Sequence, residues 1–198
     1  MLTYKLVSST VIEEISRHCS TNTLAVFAYF YFEFHSKDVH PETVLRSLII
    51  QLSSQCPRTP DVLEKLFSEK GEGRRTPTLE ELTSTLKSII ETLEHAYIVF
   101  DAHDECQDRR DFLKLLKEIH GWKLGTIHLL ATSRQEHDIG RALRILVSHG
   151  IPMDDNLVDD DIRLHVSKTL GYDDEFEMYS AEQKKMVENS LAEGAHGM

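Results

Sequence analysis

The segment HAYIVFDAHDEC, residues 95–106, constrains the fold of this chain more than any other part of the sequence. Mostly apolar residues at 96–100 lead directly into Asp101, and two further acids, Asp104 and Glu105, follow almost at once. A short apolar run of aromatic and β-branched residues is typical of a buried strand. Ligands of open parallel sheets bind beyond the carboxyl ends of the strands, so acids at this position indicate a binding site.

Strand patterns alternate with helix patterns along the chain. Strands are predicted over 24–34 (LAVFAYFYFEF), 96–100 and 126–134 (TIHLLATSR). This alternation predicts an α/β fold with a parallel sheet wrapped by helices. Apolar residues at helical spacing predict helices over 7–19, 41–54, 78–95, 109–122, 138–150, 158–170 and 180–194.

Two of the predicted helices carry sequence signals for their first turn. Pro41 opens one, because proline is tolerated in the first turn of a helix. Thr78, followed three residues later by Glu81, forms a capping-box pattern at the start of the other. Between them, residues 68–77 (SEKGEGRRTP) contain glycines among charged residues and predict an exposed loop.

Composition limits the compartment and the partners. The 198 residues carry a formal net charge of -11, which argues against nucleic acid or an anionic membrane as a partner. The three cysteines form no C-x-x-C pair, which suits a reducing compartment. The first residues resemble no signal peptide, and the most apolar run is too short to span a bilayer. We therefore expect a cytoplasmic protein.

The acids that end the strand predicted at 96–100 suit a metal-dependent phosphate site. Asp101 can hold Mg²⁺, usually through water, beside the phosphates of a nucleotide. Asp104 or Glu105, a few residues further on, can orient or deprotonate an attacking water. A solvated turn after the strand would carry the same acids without any such role.

The end of the third predicted strand supplies complementary groups. Thr132 and Ser133 offer hydroxyls, and the guanidinium of Arg134 can neutralise phosphate charge. Because parallel strands end at the same edge of a sheet, we expect these groups to lie near the acids of residues 101–105. His103 could be proposed as a metal ligand, but no second histidine or cysteine stands at ligand spacing from it.

Taken together, these segments resemble the NACHT-type NTPase domains of STAND signalling proteins. The similarity is greatest to the nephrocystin-like N-terminal domains of fungal NACHT and ankyrin-repeat proteins. YIVFDAHDEC resembles the Walker B strand, LLATSRQE is similar to the sensor 1 strand, and LAVFAYFYFEF with VLRSLIIQL resembles the second strand and its helix. The resemblance implies a three-layer P-loop NTPase-like sheet over residues 1–154 and the start of a helical subdomain over 155–198.

The resemblance also implies a function. In such switch proteins, exchange of ATP or GTP toggles an autoinhibited and an oligomeric state. Asp101 would hold Mg²⁺, Asp104 or Glu105 would act on the attacking water, and Arg134, beside the Thr132 and Ser133 hydroxyls, would sense the γ-phosphate.

The chain departs from this family at the phosphate-binding loop. The pattern G-x-x-x-x-G-K-[ST] is absent, and MLTYK, without glycine, stands where the loop would be. The strand that precedes the loop has no counterpart either. We therefore expect a fragment or a degenerate copy with impaired nucleotide binding, inactive alone in hydrolysis, and marginally stable because strand edges are exposed.

Two other functions fit the same residues. The first is a non-enzymatic interaction module that keeps the fold and binds other protein domains or further copies of itself. The second is a metal-dependent phosphoesterase that uses the strand-end carboxylates without a P-loop. A second carboxylate cluster at another strand end, which such an enzyme would need, is not evident in the sequence.

Overall fold

The computed structural model describes residues 2–22, 24–32, 39–56, 60–134, 136–146, 148–151, 163–164, 166–171, 176 and 178–194. The chain divides into two compact units, which are Val7–Val147 and Met1–Leu6 with Ser148–Met198. The sheet and all residues of the predicted site belong to the larger unit.

A three-stranded parallel sheet forms the centre of the larger unit. Its strands are β1 (Ala25–Tyr31), β2 (His95–Asp101) and β3 (Ile127–Ala131), in the order β1-β2-β3. This arrangement confirms the predicted α/β class with a parallel sheet. The last residues of the first predicted strand, 33–34, lie outside the described residues.

Helices precede, connect and follow these strands. They are α1 (Leu2–Thr21), α2 (Pro41–Ser54), α3 (Asp61–Glu69), α4 (Leu79–Glu91), α5 (Arg109–Gly121) and α6 (His137–Leu143). In the smaller unit, residues 163–164 and 166–171 are helical, and α7 spans Ala181–Gly194. No helix within the described ranges is long and apolar enough to cross a membrane.

The helix starts follow from their cap residues. Pro41 occupies the first turn of α2, as predicted. At the start of α4, the amide of Glu81 donates to the Thr78 hydroxyl at 3.4 Å, and the amide of Thr78 donates to the Glu81 carboxylate at 2.8 Å. This reciprocal pair satisfies two amides that the first helical turn leaves without partners. The predicted capping box is therefore confirmed.

The main hydrophobic core lies between one face of the sheet and helices α2, α4 and α5. Phe112 of α5 is fully buried, and its ring lies 4.8 Å from Phe32 and 5.1 Å from Phe100, both in edge-to-face contact. Such aromatic contacts add to the energy of burial. The helices contribute apolar stripes that include Val44, Leu45, Leu48, Ile49, Leu52, Leu82, Leu86, Ile89, Ile90, Leu115, Leu116 and Ile119.

Helix α1 contacts the other face of the sheet. The His18 ring packs edge-on against Tyr97 of β2 at 5.7 Å, and Ser9 forms a side-chain hydrogen bond with Tyr31 of β1. Ile12, between them in α1, is buried. Helices therefore flank the sheet on both faces, which gives the three layers expected from the sequence.

The outer edge of β1 is covered by Gln51 of α2 and by Gln55, the C-cap residue that follows α2. Gln51 accepts a hydrogen bond from the Tyr29 amide at 3.1 Å and donates to the Tyr29 carbonyl at 2.8 Å. Gln55 pairs in the same way with Phe27, at 3.1 and 2.6 Å. The two amide side chains, one helical turn apart, thus take the place of a neighbouring strand.

Several element boundaries differ from the predictions. Helix α3 was not predicted, and it includes residues 68–69 of the segment predicted as a loop. Helix α6 ends at Leu143, well before the predicted end at Gly150. Helix α1 begins at Leu2 and so contains residues 2–5 of the segment MLTYK, which stands where the phosphate-binding loop would be. The predicted domain boundary at residue 155 lies outside the described residues.

Candidate functional site

Asp101 and Thr132 join the ends of β2 and β3. Asp101 is the last residue of β2 and is only 1% exposed. The Thr132 hydroxyl donates to Asp101 Oδ1 at 2.5 Å and accepts from the Ala102 amide at 3.0 Å. A short hydrogen bond to an ionised carboxylate is among the stronger bonds a hydroxyl can make. The structure therefore brings together two of the predicted site residues, which lie 31 positions apart.

Ala102 reverses the direction of the chain directly after Asp101. Its φ is 54°, in the left-handed region, which costs about 1 kcal/mol for a residue with a Cβ atom. The hydrogen bond from its amide to Thr132 helps to hold this conformation. As a result, the 3₁₀ turn His103–Glu105 folds back over the end of β3.

Arg134 pairs with both of the predicted catalytic acids. Its amide donates to Asp104 Oδ1 at 3.1 Å, and its Nε lies 3.6 Å from Asp104 Oδ2. Its Nη2 lies 4.0 Å from Glu105 Oε1. The side chains of Asp104 and Glu105 are 7% and 10% exposed, whereas that of Arg134 is 47% exposed. The two acids are thus largely buried and share one guanidinium, and the arginine remains reachable from solvent.

Arg109 is a further member of this site that the sequence did not identify. Its Nη2 donates to the Asp104 carbonyl at 2.6 Å, and its Nη1 lies 3.2 Å from both carboxylate oxygens of Asp138. It therefore links the acidic turn to α6. The sequence gives no signal for it, because its contacts with the acidic turn and with Asp138 form only once α5 and α6 are folded side by side.

His103 is the first residue of the turn and is fully buried. Its Nδ1 lies 2.8 Å from the Thr132 carbonyl, and because a carbonyl only accepts, Nδ1 carries the proton. Its Nε2 is buried and has no hydrogen-bond partner among the described residues. Burial lowers the pKa of His103, so the ring is neutral. His103 acts as a packing residue that connects the turn to β3.

The structure thus brings five of the predicted site residues together at the carboxyl ends of β2 and β3, namely Asp101, Asp104, Glu105, Thr132 and Arg134. Ser133 follows Thr132 and is half-buried.

The donors at this edge suit a hard cation. The Asp101 carboxylate and the Thr132 hydroxyl are oxygen ligands, which Mg²⁺ prefers. In the part of the chain that the structure describes, no three His, Cys, Asp or Glu side chains converge as a metal site. Asp101 as a Mg²⁺ ligand therefore remains a prediction.

Comparison with protein families finds one match. The family described as nephrocystin 3, N-terminal, matches residues 5–134, which make up more than half of the chain. The matched span holds all three strands and ends at Arg134. The comparisons with curated proteins and with solved structures find no match.

Proposed function

The chain belongs to the nephrocystin 3 N-terminal family, and from the chemistry of its strand ends we propose that it is a NACHT-type nucleotide-binding module of a STAND signalling switch. The observation that carries the proposal is the convergence of Asp101, Thr132 and Arg134 at the carboxyl ends of β2 and β3. Nucleotides of open α/β folds bind at this edge. The ligand would be ATP or GTP with Mg²⁺.

Each residue has a distinct role in this proposal. Asp101, with the Thr132 hydroxyl beside it, would hold Mg²⁺. A bound Mg²⁺ ion would neutralise negative charge on the phosphates. Thr132 and Ser133 would offer hydrogen bonds to phosphate oxygens, and Asp104 or Glu105 would orient a water molecule.

Arg134 would couple nucleotide binding to the acidic turn. Its guanidinium lies within ion-pair distance of Asp104 and Glu105, and it is the most exposed member of this trio. A γ-phosphate, with more charge than either carboxylate, would compete for the guanidinium. Arg134 would then release Glu105 to interact with water, and this exchange of partners is the local step of the proposed switch.

The affinity of residues 1–198 for nucleotide should be low. They contain no G-x-x-x-x-G-K-[ST] pattern, and Leu2–Thr21 forms a single helix. The amides and the lysine of such a loop are the main phosphate ligands of P-loop NTPases. We therefore propose impaired binding and no hydrolysis by these residues alone.

The alternative is a non-enzymatic interaction module that keeps the NACHT fold. One observation favours it: Asp104 and Glu105 are already paired with Arg134, and Asp101 already accepts from Thr132. A site whose charges are satisfied internally gains less from a ligand. In this case the partners would be other protein domains or a second copy of the chain.

Calorimetric titration with Mg²⁺ and ATP or GTP distinguishes the nucleotide-binding module from the interaction module. Asp101→Asn removes the charge, but its amide oxygen can still accept from Thr132, so the fold should persist. Asp111→Asn is a matched control, because Asp111 is exposed and pairs only locally with Lys114. Binding that is lost in Asp101→Asn and kept in Asp111→Asn supports the nucleotide module. If the folded wild-type chain binds neither nucleotide, the interaction module stands instead.

A further inference from the structure

Two histidines meet at the opposite end of the sheet from Asp101. His95 is the first residue of β2, and His128 is the second residue of β3. They lie 33 positions apart in the sequence, and both are exposed. His95 Nδ1 lies 3.3 Å from His128 Nε2. This juxtaposition comes entirely from the pairing of the two strands.

The distance between these nitrogens matches a metal site. Two nitrogen ligands at about 2.0–2.1 Å from a tetrahedral Zn²⁺ ion are about 3.3 Å apart. Imidazole nitrogen suits Zn²⁺, Cu²⁺ and Ni²⁺. We propose that His95 and His128 form a binding site for a divalent transition-metal ion, with Zn²⁺ as the representative ion. Among the described residues no third side chain completes a ligand group, so water would fill the remaining positions.

Thr126 provides an independent observation for a ligand at this place. The Ala96 amide donates to the Thr126 carbonyl at 2.9 Å, and β2 and β3 pair with Ala96 opposite Ile127. This register places Thr126 beside His95, on the same face of the sheet as both histidines. The Thr126 hydroxyl is buried and has no hydrogen-bond partner among the described residues. A water molecule bound to the metal would give this hydroxyl a partner.

Tyr97 helps to fix the orientation of the site. Its ring stacks on His128 with the centroids 4.6 Å apart and the planes 18° from parallel. His18 of α1 packs edge-on against the ring of the same tyrosine. A ligand ring held in place before binding loses less conformational entropy when the metal binds. The site therefore requires no rearrangement of β2 or β3.

Titration of the full 198-residue chain with ZnCl₂ tests the proposal. We expect one ion per chain. Either His95→Gln or His128→Gln should lower the affinity at least about tenfold, since each removes one of two protein ligands. His120→Gln is the matched control, because His120 is an exposed histidine of α5 in another part of the fold. It should leave the affinity unchanged.

A threonine variant separates metal coordination from a simple N–H···N hydrogen bond between the histidines. Thr126→Val should leave the metal-free melting temperature unchanged or raised, because the hydroxyl has no partner to lose. It should nevertheless weaken Zn²⁺ binding several-fold. Thiols also bind Zn²⁺, so Cys19→Ser and Cys56→Ser are tested in parallel.

Three results would overturn the proposal. These are Zn²⁺ binding that survives both histidine substitutions, binding that disappears with either cysteine, and no binding by the wild-type chain. Metal-free melting of each variant shows whether it is folded. If His95→Gln or His128→Gln does not fold, the corresponding asparagine variant, His95→Asn or His128→Asn, is titrated in its place.

Discussion

The two edge strands of the sheet, β1 and β3, differ in what binds the backbone groups on their outer sides. At the β1 edge, Gln51 and Gln55 bind the backbone of Tyr29 and Phe27 through four hydrogen bonds. We call this the closed edge. At the other side, β3 pairs with β2, and no described strand pairs with its far side. We call this the open edge.

The open edge exposes both backbone and apolar side chains. The Ala96 amide donates to the Thr126 carbonyl, and the Thr132 amide donates to the Phe100 carbonyl. Because residues of a strand alternate in direction, the backbone groups of Leu129 face away from β2. The Leu129 side chain is 40% exposed. An edge with no charged residue or proline invites pairing with another strand, so we expect the chain to associate through the open edge.

The largest expected effect concerns the Thr132 hydroxyl, which links the chain just after β3 to the end of β2. Thr132→Val removes the hydroxyl that donates to the buried Asp101 carboxylate and accepts from Ala102. We expect the free energy of unfolding to fall by about 2–3 kcal/mol, because a hydrogen bond to a buried charge is lost. Urea denaturation monitored by circular dichroism measures this change.

Thr132→Ser is the matched control, since it keeps the hydroxyl and removes only a methyl group. It should retain most of the stability. Equal destabilisation by serine and valine would mean that the methyl group, and not the hydrogen bond, secures the open strand.

A smaller effect is expected at the closed edge. The double variant Gln51→Leu with Gln55→Leu keeps α2 helical but removes all four bonds to β1. The exposed backbone groups can bond to water instead, so we expect a loss of about 1–2 kcal/mol. Gln107→Leu, at an exposed turn, is the control. Sedimentation velocity should also show more self-association of the double variant, because both edges are then open.

Helix starts could be predicted where the signal lies in residues that are neighbours in the sequence. Pro41 and the Thr78–Glu81 pair give cap signals that depend only on neighbouring residues, and both helices begin as predicted. Helix α3 was missed because its nine residues present a short apolar pattern, in which only Leu66 is buried. Its stability comes from packing against α4, which the sequence pattern does not reveal.

The candidate site could be predicted where it depends on the rule that ligands bind at the carboxyl ends of parallel strands. Carboxyl ends of parallel strands meet, so Asp101 and Thr132 could be paired from the sequence. No such rule covers the amino ends, where strand register alone brings His95 to His128. Likewise, the contacts of Gln51 with β1 depend on how α2 packs against the sheet. The presence of a glutamine in a predicted helix therefore did not indicate that it would bind a strand edge.

Substitution of a lysine into the open edge should change association more than stability. Leu129 is already partly exposed, so Leu129→Lys should alter the free energy of unfolding by less than about 0.5 kcal/mol. A charge at a strand edge opposes pairing with a second strand. We expect the variant to remain monomeric at concentrations where the wild-type chain associates, as measured by sedimentation velocity. Association that persists in Leu129→Lys would show that another surface is responsible.

The smallest effect concerns acid sensitivity at the start of α4, the helix that packs against α2 behind the closed edge. The hydrogen bond from Lys70, with that from the Thr78 amide, lowers the pKa of Glu81 to about 2 from an ordinary value of 4.5. A lowered pKa stabilises the fold above about pH 4.5, and this contribution is lost as the pH falls through about 2.

Glu81→Gln should therefore lower the urea midpoint at pH 6 and have little effect at pH 2. Glu80→Gln, at an exposed neighbouring position, is the control and should show no such convergence with the wild type. A difference between wild type and Glu81→Gln that stays constant from pH 6 to pH 2 would mean that the geometry of the cap, and not the charge of Glu81, stabilises α4. Any acid sensitivity of α4 would then have to come from another carboxylate.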